Sequence, residues 1–193
     1  MQRLIAWLVL FGPLLAFGTV LLTQEQAIKQ MFPDADEVKR VSQFLTADQV
    51  AGVKQVLDGK WTLYPPTGKG VAAEHDSVTF FFAGKQGQQT GVALIESQPG
   101  KWGQTTYVIA LDPDGKVTNL AVMSYAEQHG RPIATRRFLS QFIGKTSKSP
   151  LQIGKDVDAV SGATIVSRAT AFAVKKVIVL YETVYLTGTE RKE

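Results

Sequence analysis

An α+β fold is what the sequence predicts: an antiparallel sheet packed with helices and preceded by one N-terminal transmembrane helix. Three observations predict it. Residues 4–23 contain no charge and are almost wholly apolar. Four β-rich runs, at 78–82, 91–96, 107–111 and 117–125, follow in the middle of the chain, with turn signals inside the first and last pairs. An apolar stripe at helical spacing then runs over 164–184. The 193 residues suit one ordinary domain plus an appendage. The expected division is an anchor at 1–23, a helical linker at 24–60 and the main domain at 61–193.

At a rise of about 1.5 Å per residue, residues 4–23 reach roughly 30 Å, the hydrocarbon thickness of a bilayer. Pro13 is tolerated in such a helix, where neighbours satisfy the freed carbonyl. Arg3 on the short N-terminal side places that end in the cytoplasm by the positive-inside tendency, and the body on the other side. Lys29, Lys39 and Arg40 weaken this vote. A cleaved signal peptide is the rival, but its apolar region is usually shorter and no clear cleavage site is present. In either case the body is exported.

Residues 24–31 read as a helix that Pro33 breaks. Thr46-Ala47-Asp48-Gln49 fits a capping box, opening a helix with Val50, Val53 and Val56 on one side and an end near Gly59. Pro65, Pro66, Gly68 and Gly70 mark a loop. Gly84-Lys85-Gln86-Gly87 is a turn. Asp112-Pro113-Asp114-Gly115 is a strong hairpin turn, with Pro113 presetting φ and Gly115 able to take a positive one. Phe80, Phe81 and Phe82, adjacent in a strand, read as packing on both sheet faces. A loop at 125–130 follows. Thr135 is expected to cap a helix to Ile143, with Phe138, Leu139, Phe142 and Ile143 as its apolar stripe and Gly144 as its stop. In the last helix Val166, Ala169, Ala173, Val177 and Leu180 form the apolar face, and Lys175, Lys176 and Glu182 are expected to face water.

Apolar residues make up 45% of the chain and charged residues 20%, as in a globular protein with a true core. A net charge of +4 with no clustered basic face does not suggest nucleic acid as a partner. With no cysteine there is no disulfide, thiolate metal site or cysteine nucleophile. His75 and His129 lack short metal-ligand spacing and read as loop residues, so no metal site is expected. Arg136 and Arg137 read as a solvated helix face.

The string that carries chemistry is Asp158-Ala159-Val160-Ser161-Gly162-Ala163-Thr164, at the start of the last helix. N–H groups at a helix start lack intrahelical partners and, with the helix dipole, attract an anion such as phosphate. Gly162 lets the backbone approach it closely. The bland alternative is a helix start that binds nothing.

This string resembles the flavinylation motif of the FMN-binding domain family, found in the C subunit of the sodium-translocating NADH:quinone reductase and the G subunit of the Rnf complex. Gln141-Phe142-Ile143-Gly144-Lys145 is similar to another segment of that family. In the loop before it, Glu127 and Gly130 match the family pattern while Gln128 and His129 depart from it. The resemblance implies that 61–193 is an FMN-binding domain. It implies FMN as cofactor, joined by a phosphoester to Thr164, with Ser161, Gly162 and Ala163 contacting the phosphate. Asp158 would belong to the signal read by a separate flavin transferase with FAD as donor. Local turn hydrogen bonding is an equal reading of Asp158. Ile165 and Val166, by adjacency, would border the isoalloxazine, and Glu127 and Gly130 are carried over as cofactor-binding positions.

Expected partners are therefore membrane redox proteins, the transferase and the lipid bilayer. The expected location is the inner membrane, single-pass, with the C-terminal domain in the periplasm. No convergent acid, base or nucleophile is visible, which favours an electron relay over an independent enzyme. The alternatives are a stand-alone flavin reductase of a small exported substrate and a non-redox assembly or sensing module.

Overall fold

In a computed structural model of the chain, the structure describes residues 19–64, 77–126 and 131–187. The strands are β1 (Thr19–Val20), β2 (Glu37–Phe44), β3 (Ser77–Lys85), β4 (Gln88–Pro99), β5 (Gln104–Leu111) and β6 (Val117–Tyr125). They form one antiparallel sheet in the order β1-β6-β5-β4-β3-β2. The helices are α1 (Gln24–Met31), α2 (Ala47–Val56), the short α3 (Arg136–Leu139) and α4 (Thr164–Tyr181). A π-helical turn, Glu182–Leu186, continues α4.

The alternation of side chains along β5 explains the layering. Tyr107, Ile109 and Leu111 face one side and join the main core, with α4 packed over them and α2 packed on α4. Val108 and Ala110 face the other side and meet Ala27 and Met31 of α1. Period-two alternation therefore feeds two cores from one strand. The three phenylalanines behave in the same way. Phe80 and Phe82 pack edge-on against Tyr185 at 4.9 and 5.0 Å, while Phe81 lies in the α1 core.

The hairpin at 112–115 forms as expected. Asp112 Oδ1 accepts from the N–H groups of Asp114 and Lys116, and Gly115 sits at φ +83. The capping box at Thr46 and Gln49 also forms, and Thr23 with Gln26 makes another at the start of α1.

The structure departs from expectation at several places. Strand β2 is one, because Glu37, Lys39 and Arg40 interrupt its apolar pattern. As an edge strand, exposed along almost its whole length, it needs no apolar alternation. The stripe of α2 runs through Val53 to Leu57, and Val56 is exposed. The helix after Thr135 stops at Leu139 and gives way to a 3-10 turn, Ser140–Phe142. Gly144 N–H then donates to Val117 O and Val117 N–H to Lys145 O, which draws the chain onto β6 and leaves Ile143 exposed. Of the expected anchor, residues 1–18 lie outside the described residues. Thr19–Val20 pairs with β6, and Thr23 caps α1. Among the described residues no helix is long and apolar enough to cross a membrane.

Lys176 is the sharpest correction. Expected in water, it is only 4% exposed. Its Nζ donates to Glu96 Oε1 at 2.9 Å and lies 4.4 Å from the Trp61 ring centroid. Gln98 Nε2 donates to the same Glu96 oxygen at 2.7 Å, and Gln98 Oε1 accepts the Leu63 N–H. A periodicity argument could not see these partners, which lie far off in sequence. Burial pushes the Glu96 carboxyl above its ordinary value, against the charge of Lys176 and the hydrogen bonds from Lys176 and Gln98.

Removing one partner of a buried pair strands the other charge, at a cost of about 3–5 kcal/mol. Lys176→Met should lower stability by that order in urea unfolding. The double variant Glu96→Gln/Lys176→Met should recover much of the loss. Equal losses in the single and double variants would show that the pair is not coupled.

Candidate functional site

The site is the N-terminal end of α4. The main core buries Val166, Ala173, Val174, Val177 and Ile178 of this helix against the sheet. Two hydroxyls inside the contact fix its axial position. Tyr107 Oη lies 3.0 Å from Thr170 Oγ1, whose hydroxyl donates to Val166 O. Ser167 Oγ donates to Ala163 O and accepts the Val160 N–H at 3.1 Å, so it binds the preceding loop to the helix. Ser167 is fully buried, and sequence reasoning misses it. Its only signal there is a small hydroxyl residue three places beyond Thr164.

Thr164 is the first residue of α4, and its side chain is exposed. The N-cap position is Ala163, which offers no side-chain acceptor. The first intrahelical donor is Ser167 N–H to Ala163 O. The N–H groups of Thr164, Ile165 and Val166 precede it and point out of the helix end. Gly162 takes φ +76, and a Cβ there would meet nothing within 4 Å. Glycine is therefore needed for the backbone turn rather than for space.

A cleft of about 290 Å³ opens at this helix end, lined by Lys101, Trp102, Gly162, Ala163, Thr164, Ile165 and Val166. Lys101 and Trp102 come from the β4–β5 connection, and sequence reasoning misses both. No local pattern says that residue 102 meets residue 164; only the packing of α4 across β4 and β5, in the same sense as β5, brings them together. Gly103 allows the connection to sit there, because a Cβ would fall 2.6 Å from that of Ala126. The cleft thus combines an aromatic wall, a lysine, helix-end N–H groups with no partner among the described residues and an exposed hydroxyl. That donor set fits a flavin phosphate beside an aromatic ring system.

Of the residues singled out from the sequence, Gly162, Ala163, Thr164 and Ile165 come together in this cleft. Ser161 and Asp158 are exposed on the loop leading to it. Glu127 and Gly130, like His75 and His129, lie outside the described residues. Among the described residues no cluster of metal-binding side chains occurs.

Two brackets hold the loop before Thr164. Gln141 Oε1 accepts the Asp158 N–H at 2.8 Å, and Gln141 Nε2 donates to Asp158 O at 3.3 Å. Lys145 Nζ pairs with Asp156 Oδ2 at 2.8 Å. Asp156 also accepts from the N–H groups of Leu151 and Gln152. This holds Leu151 at φ +50, a conformation that costs a β-carbon residue of order 1 kcal/mol. The two strings noted in the sequence, 141–145 and 158–164, are therefore physically joined. Burial acts to raise the Asp156 carboxyl, but the hydrogen bonds from Lys145, Gln152 and Leu151 and the lysine charge outweigh it and hold the group below its ordinary value.

Residues 100–179 match the family model of the FMN-binding domain. The stretch contains the cleft and both strings, so the family resemblance is shown there. The chain is 28% identical over 127 residues to the G subunit of the ion-translocating oxidoreductase complex of Aliivibrio fischeri, the match covering 60% of each chain. It is 28% identical over 137 residues to the protein of the same description from Methanosarcina acetivorans, covering 67% of this chain and 73% of that one. The match thus spans less than two thirds of the Aliivibrio relative. The crystal structure of Shewanella oneidensis NqrC is similar with a TM-score of 0.53 and 19% identity, covering 84% of this chain and 88% of that one. At that identity the likeness shows the fold, an α+β unit with an antiparallel sheet.

A carboxyl held below its unfolded value adds stability above that value and loses it as pH falls through the folded one. Asp156→Asn should therefore lower the melting temperature at pH 7. The gap to the unaltered protein should narrow as pH drops below about 4, the ordinary range of an aspartate. A gap independent of pH would remove the charge from this account.

Proposed function

We propose that this protein is a membrane-anchored, exported flavoprotein that relays electrons as part of a membrane redox complex. In this reading FMN is held covalently on Thr164. The observation that carries it is an exposed threonine hydroxyl at the uncapped start of α4, inside the cleft that Trp102 walls. That cleft lies within the stretch matching the FMN-binding domain.

Each part of the site has a task. The N–H groups of Thr164, Ile165 and Val166 would face the phosphate and its charge, with the helix dipole in support. Lys101 adds a positive charge at the rim. Trp102 and Ile165 offer apolar walls for a flat ring. Thr164 Oγ1 is the acceptor in maturation. Its O–H bond is replaced by an O–P bond, the pyrophosphate bond of FAD breaks, and AMP leaves with the proton. No oxidation state changes. Bound FMN supplies one- or two-electron transfer, chemistry that no side chain here provides. Covalent attachment keeps the cofactor from being lost by dilution outside the cytoplasm. The names of the Aliivibrio and Methanosarcina relatives support a multi-subunit, ion-translocating oxidoreductase as the setting. An anchor in the apolar run that precedes Thr19, and the extracytoplasmic location of the body, belong to the same proposal.

The full chain, co-expressed with a flavin transferase, should give a fluorescent band on a denaturing gel, and Thr164→Val should abolish it. A band that survives in Thr164→Val would place the flavin elsewhere. A dark band from the unaltered chain, exposed to active transferase, would overturn the covalent reading.

A further inference from the structure

Several parts of the molecule meet at one end of the sheet. Thr19, the first described residue, pairs with Tyr125 on β6, and Tyr125 pairs with Thr105 on β5. Thr105 is the second residue of β5, just after the β4–β5 connection that carries Lys101 and Trp102 into the cleft. Gly103 of that connection lies against Ala126, the residue after β6. Two strand spacings, about 10 Å, separate Thr19 from Thr105. Helix α4 starts at this end and finishes at the other, where Tyr181 Oη donates to Pro113 O of the β5–β6 turn. The point at which the chain joins the apolar N-terminal segment and the mouth of the cofactor cleft therefore share one end of the body.

That end also exposes apolar surface. Val20 is 71% exposed, Trp102 55% and Leu21 44%. Lys101 Nζ lies 4.9 Å from the Trp102 ring centroid. A tryptophan beside a lysine is the pairing that suits a headgroup layer. No polar linker separates the apolar run from the sheet, because residues 4–18 are uncharged and β1 begins at Thr19. A helix over residues 4–18 would reach roughly 22 Å, short of the hydrocarbon thickness of about 30 Å. Spanning would then draw Val20 and Leu21 into the interface.

We propose that the cleft end of the sheet, marked by Val20, Leu21, Lys101 and Trp102, rests on the lipid headgroup surface, with the β5–β6 turn pointing away. This rests on the membrane-anchored reading above and deepens it. The redox partner that reaches Thr164 is then embedded in, or flush with, the bilayer. A soluble carrier approaching from the far end would meet the turn at 112–115, about 25 Å away along the strands.

The chain contains no cysteine, so single labels can be placed cleanly. Gln104→Cys and Asp114→Cys are exposed positions at the two ends of β5 and its turn. Each full-length variant, carrying an environment-sensitive fluorophore, is reconstituted in phosphatidylcholine/phosphatidylglycerol vesicles containing lipid with a headgroup-level quencher. The label at 104 should lose most of its emission and the label at 114 little. Equal quenching, stronger quenching at 114, or none at either position in a chain that has entered the vesicles would overturn the orientation and leave the anchor standing. A chain that does not enter the vesicles would overturn the anchored reading and the orientation with it. Flavin loading, read separately by gel fluorescence, does not bear on any of these outcomes.

Discussion

The burial of α4 against β4 and β5 is the constraint from which the site follows. A helix end attracts an anion only if its N–H groups stay aimed at one place, and an isolated helix of this length frays in water. Here Val174, Val177 and Ile178 are wholly buried, each contributing about 1.5–3 kcal/mol relative to exposure. The Tyr107–Thr170 contact within that layer sets the helix's position along its axis. The exposed first turn inherits its rigidity from the turns behind it.

The loop that enters α4 is fastened by a different means. Leu151, Val157 and Ala163 pin it to the main core, but much of the rest is polar. There side chains hold its backbone: Gln141 at Asp158, Asp156 at Leu151 and Gln152, and Ser167 at Val160. The arrangement separates two tasks. Apolar packing places the helix, and hydrogen bonds from side chain to backbone shape the turn that presents Thr164. Asp156 and Gln141 act from behind the cleft rather than in it, since neither lines it.

Much of this was legible in the sequence, for identifiable reasons. The hairpin at 112–115, the capping box at Thr46 and the start of α4 are local signals, and short-range chemistry decides them. The six-stranded sheet was only partly legible. Strand β2 carries charge where a strand pattern wants apolar residues, and β1 is two residues inside a run that reads as membrane-spanning. The motif at 158–164 marked the helix end, yet the wall of the cleft did not follow from it. Trp102 and Lys101 reach Thr164 through tertiary contact alone. Lys176 failed for the same reason: helical periodicity assigns a lysine to water unless its carboxylate and its aromatic ring can be seen across the fold.

Strand β2 closes one side of the sheet, its outer backbone edge paired with no other strand among the described residues, and Phe44 at its end is 82% exposed. Such an edge is a template for another strand. Lys39 and Arg40, adjacent at its centre, counter that tendency. Two copies meeting antiparallel along β2 would bring both Lys39–Arg40 pairs to one seam, with Glu37, 3.4 Å from Lys39, offsetting part of that charge. The feature that hid the strand from a pattern search is thus also a repulsion that edge-to-edge joining of two copies would have to overcome.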